Sequence, residues 1–346
     1  TAGEKGLALE RAVYGPTHTA VALSLEQLTN LCLLARDYAA ARNYGTQALA
    51  VRLELHGESH WKTKDAQRAV DEVDLRAKLT KQQRADLKEA DGLMREADRL
   101  WRRGDYTRVQ VPLEKCLALR RAVLGAQHPE SAEGLGNLAT LLNMQGFFSK
   151  SEPLYLEALR MMKATLGDKH PKYATSLDNL GMLYFHAGLY AKAEPCLKEA
   201  QQIRREVLGE QDSAYATSLN NLGVLYIAQG SFVKSEPLLK EALKIKKAAL
   251  GEDHPEYAST LSNLARFYDE QGLHAKAEPL LEEALTVRKR SLSDTHPDYA
   301  ASLNNLGAFY HGQGLYAKAQ AYYEQACEIR NRRWPVARIQ SMGEES

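Results

Sequence analysis

Histidine is the residue of this sequence whose type and spacing most invite a chemical interpretation. Six histidines recur between apolar stretches: His18, His60, His128, His170, His254 and His296. A metal site needs two histidines on one helical face, at i and i+4, or a cluster with cysteines or carboxylates. These lie a full sequence repeat or more apart, and Asp212-Ser213 replaces the His-Pro pair in one repeat. We therefore expect them to bond local backbone, and we predict no metal site and no cofactor.

Motifs for catalysis are missing from the sequence, which has no Walker loop, G-x-S-x-G or H-E-x-x-H. A Cys–His nucleophile would need partners brought together from distant segments. We therefore predict no catalytic residue and no enzymatic activity. Basic runs occur at 204–205 ("RR"), 244–247 ("KIKK") and 288–290 ("RKR"). They fall late in predicted helices, where cations complement the negative helix end, and we interpret them as solvent-facing.

The charge of the chain is balanced, with 45 Lys and Arg against 44 Asp and Glu among 346 residues. Nucleic-acid binders and proteins held electrostatically at membranes need a basic excess, so we predict neither kind of partner. No apolar run approaches the roughly 18 residues of a membrane span. The four cysteines, Cys32, Cys116, Cys196 and Cys327, form no C-x-x-C pair. Free thiols favour a reducing compartment, and we expect a cytoplasmic protein.

The elements that position these residues repeat along the chain. Glycines at 125, 167, 209 and 251 lie 42 residues apart, and so do Gly15 and Gly57. Each period contains two helical patterns, such as 213–229 and 232–249, in which apolar residues recur every three or four positions. Gly251 follows the second pattern, as a C-terminal helix cap does. No segment alternates with the period of a strand. The sequence predicts an all-α solenoid of antiparallel helix pairs.

The repeat residues resemble a known signature. In one period these residues are Leu219, Leu222, Gly223, Tyr226, Gly230, Phe232, Ser235, Leu239 and Ala242. They resemble the tetratricopeptide-repeat (TPR) signature, in which small residues allow two helices to approach and large ones fill the space between repeats. The 42-residue form is similar to the repeats of kinesin light chains. It is also similar to bacterial TPR arrays attached to caspase-like CHAT proteases.

The period divides the chain into segments. Residues 1–15 align with the second helix of a repeat, so we expect a truncated repeat there and infer that the chain was cut from a longer protein. We predict one TPR at 16–57, an inserted helix at 58–82, six TPRs at 83–331 and a C-terminal tail at 332–346. The step from Gly57 to Gly125 is 68 residues, which is one period plus 26.

The insertion carries one apolar helical stripe: Ala66, Ala69, Val70, Val73 and Ala77. Thr80 and Gln83 follow it with the spacing of a capping box that opens the next helix. We interpret the segment as an unpaired helix that interrupts the stack. It either packs along the solenoid or bends the array and docks a partner, and both alternatives stay open at this point.

Asparagines recur in phase immediately before the signature leucine of the first helix: Asn137, Asn179, Asn221, Asn263 and Asn305. Asparagine is a mediocre helix former because its amide competes for backbone hydrogen bonds. The TPR resemblance implies that first helices line a concave groove and that this position contacts bound peptides. An amide both donates and accepts, so it can bond any peptide backbone. Alternatively, each asparagine bonds a neighbouring repeat, and the two uses can coexist.

The variable neighbours of these asparagines would supply specificity. We include in the predicted peptide-binding set Asp178, Asn220, Asn304, Met182, Phe185, Val224, Ile227 and Arg266. The apolar members predict a hydrophobic anchor on the ligand, and Arg266 predicts an acidic residue, although the apolar residues could instead pack between helices. We expect a non-enzymatic scaffold that binds a peptide or protein segment. The alternatives are the regulatory arm of a CHAT-type protease, acting in cis or in trans, and a cargo adaptor like kinesin light chain.

Overall fold

The computed structural model describes residues 2–333, which form sixteen α-helices and contain no strand. The helices are α1 Ala2–Tyr14, α2 Thr19–Ala35, α3 Tyr38–His56, α4 Trp61–Lys78, α5 Lys81–Arg102, α6 Tyr106–Leu124, α7 Pro129–Met144 and α8 Phe148–Leu166. They continue with α9 Pro171–His186, α10 Tyr190–Leu208, α11 Ser213–Ala228, α12 Phe232–Leu250, α13 Pro255–Glu270, α14 His274–Ser291, α15 Pro297–Gly312 and α16 Tyr316–Arg333. The all-α prediction is confirmed.

The helices fall into two compact units. The first contains residues 2–92 and 118–128, and the second contains 93–117 and 129–333. In the second unit each pair has a first helix (α7, α9, α11, α13, α15) and a second helix (α8, α10, α12, α14, α16). The predicted tail at 332–346 lies outside the described residues from 334 onward.

The loop between pairs is built by the same two caps in most repeats. Gly251 ends α12 with a φ of 85°, and its N–H donates to the Lys247 carbonyl at 3.1 Å. Glycine adopts this backbone conformation without the steric cost that a Cβ would add. At the other end of the loop, His254 Nδ1 accepts the Glu256 N–H at 3.2 Å and caps α13. The periodic glycines and histidines therefore stop one helix and start the next.

Small residues set the close approach of the two helices within a pair. A Cβ added to Gly223 of α11 would lie 2.7 Å from Cγ and Cδ2 of Leu239, which is fully buried in α12. Ser235 Oγ of α12 donates to the Gly223 carbonyl at 2.8 Å. Glycine thus admits the leucine of the partner helix, and the serine bonds the backbone that the glycine exposes.

A tyrosine–glutamate bond joins each pair to the next in the second unit. A tyrosine of a first helix donates to a glutamate of the preceding second helix, 32 residues earlier, as in Tyr226 to Glu194 at 3.0 Å. The same bond recurs as Tyr184–Glu152, Tyr268–Glu236 and Tyr310–Glu278. The tyrosine ring is buried in the core while its hydroxyl reaches the edge, so one residue contributes both apolar area and a directed bond.

Helix α4, predicted as an unpaired helix, packs against α3 in the first unit. Gly45 of α3 lies against Val70, so that a Cβ at Gly45 would meet Val70 Cγ2 at 3.3 Å. Thr63 donates to the carbonyl of Arg52 at 3.1 Å. The apolar stripe of α4 is therefore occupied by the chain itself. The reciprocal bonds of the capping box are present after it, from Thr80 N to Gln83 Oε1 at 3.0 Å and from Gln83 N to Thr80 Oγ1 at 3.2 Å.

Candidate functional site

The candidate site is the surface formed by the first helices of the second unit, here called the first-helix face. Helix α7 contacts α9, α9 contacts α11, α11 contacts α13 and α13 contacts α15. The five in-phase asparagines, one on each of these helices, therefore follow one another across adjacent helices. The face carries the predicted peptide-binding residues, and their environments differ.

Two asparagines bond the preceding first helix. Asn221 Nδ2 donates to Asp178 Oδ2 at 3.0 Å, and Asn263 Nδ2 donates to Asn220 Oδ1 at 3.0 Å. In both cases the acceptor lies 43 residues earlier in the sequence. These amides tie neighbouring repeats together, which is the second of the two uses that the sequence left open.

The other three asparagines have no hydrogen-bond partner within the described part of the chain. The residues 43 positions before Asn137, Asn179 and Asn305 are methionine, glycine and serine. Methionine and glycine offer no strong side-chain acceptor, and the serine, Ser262, instead donates to the Ala258 carbonyl at 3.0 Å. Asn137 and Asn305 are exposed and Asn179 is half-buried. These three amides remain available to a ligand.

Two of the predicted polar neighbours are interior residues. Asp178 and Asn220 are buried, and both serve as the acceptors for the asparagines of the next repeat. Asn304, at the same position of α15, is half-buried. Asp178 and Asn220 therefore hold first helices together, and their surface is too small for them to offer much contact to a peptide.

The predicted apolar surface at the centre of the face is mostly interior, which corrects the expectation for two residues. Val224 is 6% exposed and Ile227 is 2% exposed, and Ile227 packs with Leu264 and Phe267 of the next repeat. Met182 and Phe185 are half-buried and lean on the core. Ile227 is buried because the next repeat presents the large side chains of Leu264 and Phe267 to it. Only Met182 and Phe185 keep substantial apolar surface among these four.

A small cavity opens on this face between α5, α6 and α7, with a volume of about 190 Å³. It is lined by Ala97, Asp98, Trp101, Val109, Leu113, Asn137 and Thr140. Thr140 accepts a hydrogen bond from Tyr155 at 2.8 Å, and burial raises the pKa of Tyr155 to about 12. Tyr155 therefore stays protonated at neutral pH and donates to Thr140, which holds the Thr140 side chain in place beside the cavity. The cavity is below the usual 300–1,000 Å³ of small-molecule sites and matches a single side chain.

The basic runs interpreted as solvent-facing each contain one buried member. Arg204 and Lys246 are each 4% exposed, and Arg288 is 7% exposed. They occupy one position, five residues before the end of the period, so each points between its own repeat and the next. The expectation that basic residues late in a helix face solvent is therefore wrong for Arg204, Lys246 and Arg288, which are buried.

Carboxylates neutralise most of these buried cations. Arg204 Nη1 lies 3.2 Å from Asp178 Oδ2 and donates to Ser218 Oγ at 2.7 Å, while its Nη2 donates to Thr175 Oγ1 at 3.2 Å. Lys246 Nζ lies 2.9 Å from Glu256 Oε2. The same position in the first unit holds Arg52 with Glu26 at 2.7 Å and Arg120 with Asp91 at 3.3 Å. Such partners offset the cost of removing a charge from water, and Arg288 has hydroxyl and carbonyl partners instead.

The recurring histidines and the acidic residues do not assemble into a metal cluster in the part of the chain that the structure describes. No group of three or more His, Cys, Asp or Glu residues within 2–333 could hold a metal ion. His18, His60, His170, His254 and His296 accept a backbone N–H through Nδ1, and Asp212 accepts one through its carboxylate, whereas His128 Nε2 lies 2.9 Å from Glu72 Oε2. Five of the six recurring histidines therefore cap helices by bonding local backbone, as expected from the sequence. No helix in the described range is both long and apolar enough to cross a membrane.

The fold and the repeats define a known class of protein. The family model "Tetratricopeptide repeat" matches residues 89–164, 130–206, 179–248, 214–290 and 256–332. The chain belongs to the tetratricopeptide-repeat family. No match to a curated protein sequence was found.

Solved structures of similar fold include kinesin light chain-like TPR proteins. A set of nearly identical kinesin light chain TPR-like repeats from Podosopora anserina is 24% identical, with a TM-score of 0.46, and the match covers 60% of this chain and 99% of that one. BtubC (BKLC) from P. vanneervenii is 25% identical, with a TM-score of 0.48 and coverage of 70% and 91%. A Rap protein complexed with competence and sporulation factor is 13% identical, with a TM-score of 0.59 and coverage of 95% and 98%. The CHAT-protease link stays a prediction.

Proposed function

We propose that this protein is a non-enzymatic interaction scaffold whose first-helix face forms a concave groove and binds an extended peptide or protein segment. The observation that carries the proposal is the set of unpaired amides of Asn137, Asn179 and Asn305. Each can donate to and accept from a peptide backbone whatever the side chains of that peptide are. Asparagine without a structural bond lowers helix propensity at each of these positions, and ligand contact accounts for its presence.

The surroundings of Asn137 support this use. Asn137 lines the cavity beside Trp101, so a backbone bond to the amide would place a neighbouring ligand side chain at the opening. Asp98 is exposed there and has no ion-pair partner in the described structure. Met182 and Phe185, on α9, add half-buried apolar surface further along the face. Pockets of this kind give specificity, while backbone bonds give affinity that is independent of sequence.

The role of the bound segment stays part of the proposal. A regulatory arm of a larger protease would bind a segment of that protease, and a cargo adaptor would bind a segment of its cargo. The structurally similar Rap protein is complexed with competence and sporulation factor, and at 13% identity this likeness supports the fold only. The free thiols are consistent with a reducing, cytoplasmic setting.

Selection from a phage-displayed library of random linear peptides tests the proposal. We expect the purified chain to enrich peptides that bind with measurable affinity. Replacing Asn137, Asn179 or Asn305 with Ala should weaken binding about fivefold each, because about 1 kcal/mol is lost with each bond. The matched control is Gln320→Ala, which removes an exposed amide from the second helix α16. Selected peptides that bind the three asparagine variants as tightly as the parent chain would exclude the groove.

A further inference from the structure

One position of the repeat holds leucine along most of the array and glutamine in α10. It lies eight residues before the end of the period, as Gln201 lies before Gly209. The leucines are Leu7, Leu49, Leu117, Leu159, Leu243 and Leu285, and the other exception is Cys327 in α16. Leu159, Leu243 and Leu285 are half-buried and pack against the apolar core. The exchange at Gln201 therefore withdraws an apolar side chain from a place where other repeats pack one.

A cleft of about 600 Å³ lies beside Gln201 and is formed by α10, α11 and α12. It is lined by Lys198, Glu199, Gln201 and Gln202 of α10, by Leu222 and Tyr226 of α11, and by Lys234, Pro237 and Leu238 of α12. Lys234 and Pro237 are exposed and Leu238 is half-buried, so the cleft is open to solvent and reaches apolar surface. The cleft therefore belongs to the second helices and is separate from the asparagines of the first-helix face.

The neighbouring repeat shows which group packs at this position. Gln201 cannot pack as a leucine does, because its amide must keep hydrogen bonds. Its Nε2 donates to the hydroxyl of Tyr215 on α11 at 3.3 Å. One repeat later, Leu243 and Leu280 occupy the positions of Gln201 and Leu238, and both pack against the same apolar cluster. A leucine side chain is therefore the group that the array itself places between two second helices here.

One of the two lysines that line the cleft has no carboxylate partner among the described residues. Lys198 Nζ lies 2.7 Å from Glu194 Oε1. Lys234 Nζ lies 5.3 Å from the centroid of the Tyr226 ring and makes no ion pair in the described structure. Glu199 places a negative charge on the α10 side of the cleft. An acidic group of a ligand is therefore favoured on the α12 side, beside Lys234.

We propose that this cleft is a second interaction surface, which binds a leucine-like aliphatic side chain of a partner protein that carries an acidic residue next to it. The aliphatic side chain takes the place that Leu243 has one repeat later, and the acidic residue pairs with Lys234. Burial of the aliphatic group provides most of the affinity, while the exposed ion pair mainly sets the orientation. Sites for small molecules bury most of their ligand, whereas a protein segment covers an open cleft as it binds. The inference goes beyond the proposed function and does not depend on it.

Titration with three dipeptides that have acetylated and amidated ends tests the site directly. The probes are Leu-Glu, Leu-Gln and Ala-Glu, and the readout is the ¹³C-methyl NMR signal of Leu238, assigned with Leu238→Met. We expect Leu-Glu to shift this signal saturably. Leu-Gln should bind about two- to fivefold more weakly, and Ala-Glu about tenfold more weakly or less well still. Equal affinities of Leu-Glu and Leu-Gln would overturn the acidic requirement, and an unshifted signal with all probes, or equal binding of all three, would overturn the site.

Variants of Gln201 separate filling of the cleft from loss of the amide. Gln201→Leu restores the residue of the other repeats, so the melting temperature should rise by about 2 °C and Leu-Glu binding should weaken about tenfold or more. Gln201→Ala is the matched control, because it removes the amide without filling the cleft, and it should bind Leu-Glu at least as tightly as the parent chain. Unchanged Leu-Glu affinity in Gln201→Leu would contradict the inference.

Variants of two equivalent lysines test the charge. Lys234→Gln should lower the affinity for Leu-Glu to that for Leu-Gln. Lys276→Gln is the matched control, since Lys276 Nζ lies 5.2 Å from the Tyr268 ring in the next repeat, where Leu243 is present, and it should leave the affinity unchanged. An equal loss in both variants would assign the effect to overall charge and remove the role of Lys234. Asn137→Ala should bind Leu-Glu as the parent chain does, and a loss there would place the dipeptide on the first-helix face and overturn this site.

Discussion

At the residue scale, the five in-phase asparagines divide by the residue 43 positions earlier. Asp178 and Asn220 accept from Asn221 and Asn263 and lock successive first helices together. Gly136 lies at that distance from Asn179 and has no side chain to offer. One sequence position thus has two environments along the same face, bonded to the preceding repeat at Asn221 and Asn263 and without a hydrogen-bond partner in the described residues at the other three asparagines.

This division predicts opposite effects on stability. Replacing Asn221 or Asn263 with Ala should lower the free energy of unfolding by about 1 kcal/mol, with a larger loss for Asn221 because Asp178 is left buried beside one donor fewer. Replacing Asn137 or Asn179 with Ala should leave stability level or raise it by a few tenths of a kcal/mol, since Ala is the better helix former. Urea denaturation of the four variants measures the difference. A uniform loss in all four would contradict the division.

The sequence predicts the phase of the asparagines but not their bonds. The sequence period alone predicts that each asparagine lies on a first helix. Whether it is bonded depends on a pair of positions in different repeats, and that pairing follows from the distance between first helices, which periodicity does not supply. The buried cations are harder still. Helix-end rules treat Arg204 and Arg205 alike, while packing against the next pair buries Arg204 and leaves Arg205 half exposed.

At the element scale, the glycines of the first helices are of two kinds. Some lie against a side chain of the second helix, and others have no neighbour where a Cβ would be. Gly223→Ala would place a methyl group 2.7 Å from Leu239, which is enclosed on all sides, and should cost about 1–3 kcal/mol of stability through overpacking. Gly136→Ala meets nothing within 4 Å and should stabilise the chain by about 0.5–1 kcal/mol, because it removes a flexible residue from a helix. Denaturant melts compare the two. Equal effects of the same sign would show that the helix spacing is adjustable.

The histidine cap at the start of α4 predicts a sensitivity to acid. His60 Nδ1 accepts the Lys62 N–H at 3.2 Å, and the His60 ring stacks on His56 at 4.4 Å. Burial, with Lys62 and Arg52, lowers the pKa of His60 in the folded chain. A lowered folded-state pKa means that this contribution to stability is complete above about pH 6.5 and is lost as the pH falls through the folded-state value.

His60→Asp is the matched variant, since Asp212 caps α11 at the same position of another repeat. The aspartate accepts the N–H at any pH well above its own pKa of about 4. The melting temperature of the parent chain should therefore drop more between pH 7.5 and 5.5 than that of the variant. An identical drop in both would assign the acid sensitivity to other groups.

Helix α4 shows the limit of an apolar stripe as a predictor. The stripe correctly predicts a helix, and Trp61 begins it 42 residues after Thr19 begins α2, in the register of a first helix. It does not say which neighbour covers the stripe. In the structure α3 covers it, and Glu72 binds His128 at 2.9 Å. Burial would raise the pKa of Glu72, but the bonds from His128 and Arg76 lower it overall. The docking-helix alternative therefore loses its apolar basis.

At the scale of the whole molecule, the fold class and the helix pairs were predictable because the 42-residue pattern occurs several times in the sequence. Each repeat independently shows the same glycine, histidine and leucine positions, so errors in one are corrected by the others. Function has no such redundancy. The ligand specificity that we propose depends on residues that depart from the period, and a departure such as Gly136 for Asp178 gives no second example to check it against. The family assignment accordingly identifies a scaffold, while its ligand must be inferred from single exchanges.

The tyrosine–glutamate bonds and small-residue contacts described above join each pair of the second unit only to its neighbours. Under mechanical tension such a chain behaves as a row of equal links. Pulling on it by its ends should release one pair at a time, and each release should lengthen the tether by a contour of about 130–140 Å, the extended length of 42 residues less a span of about 10 Å for the folded pair. Single-molecule force extension would record a sawtooth of nearly uniform spacing. One large rip in its place would mean that the pairs yield together.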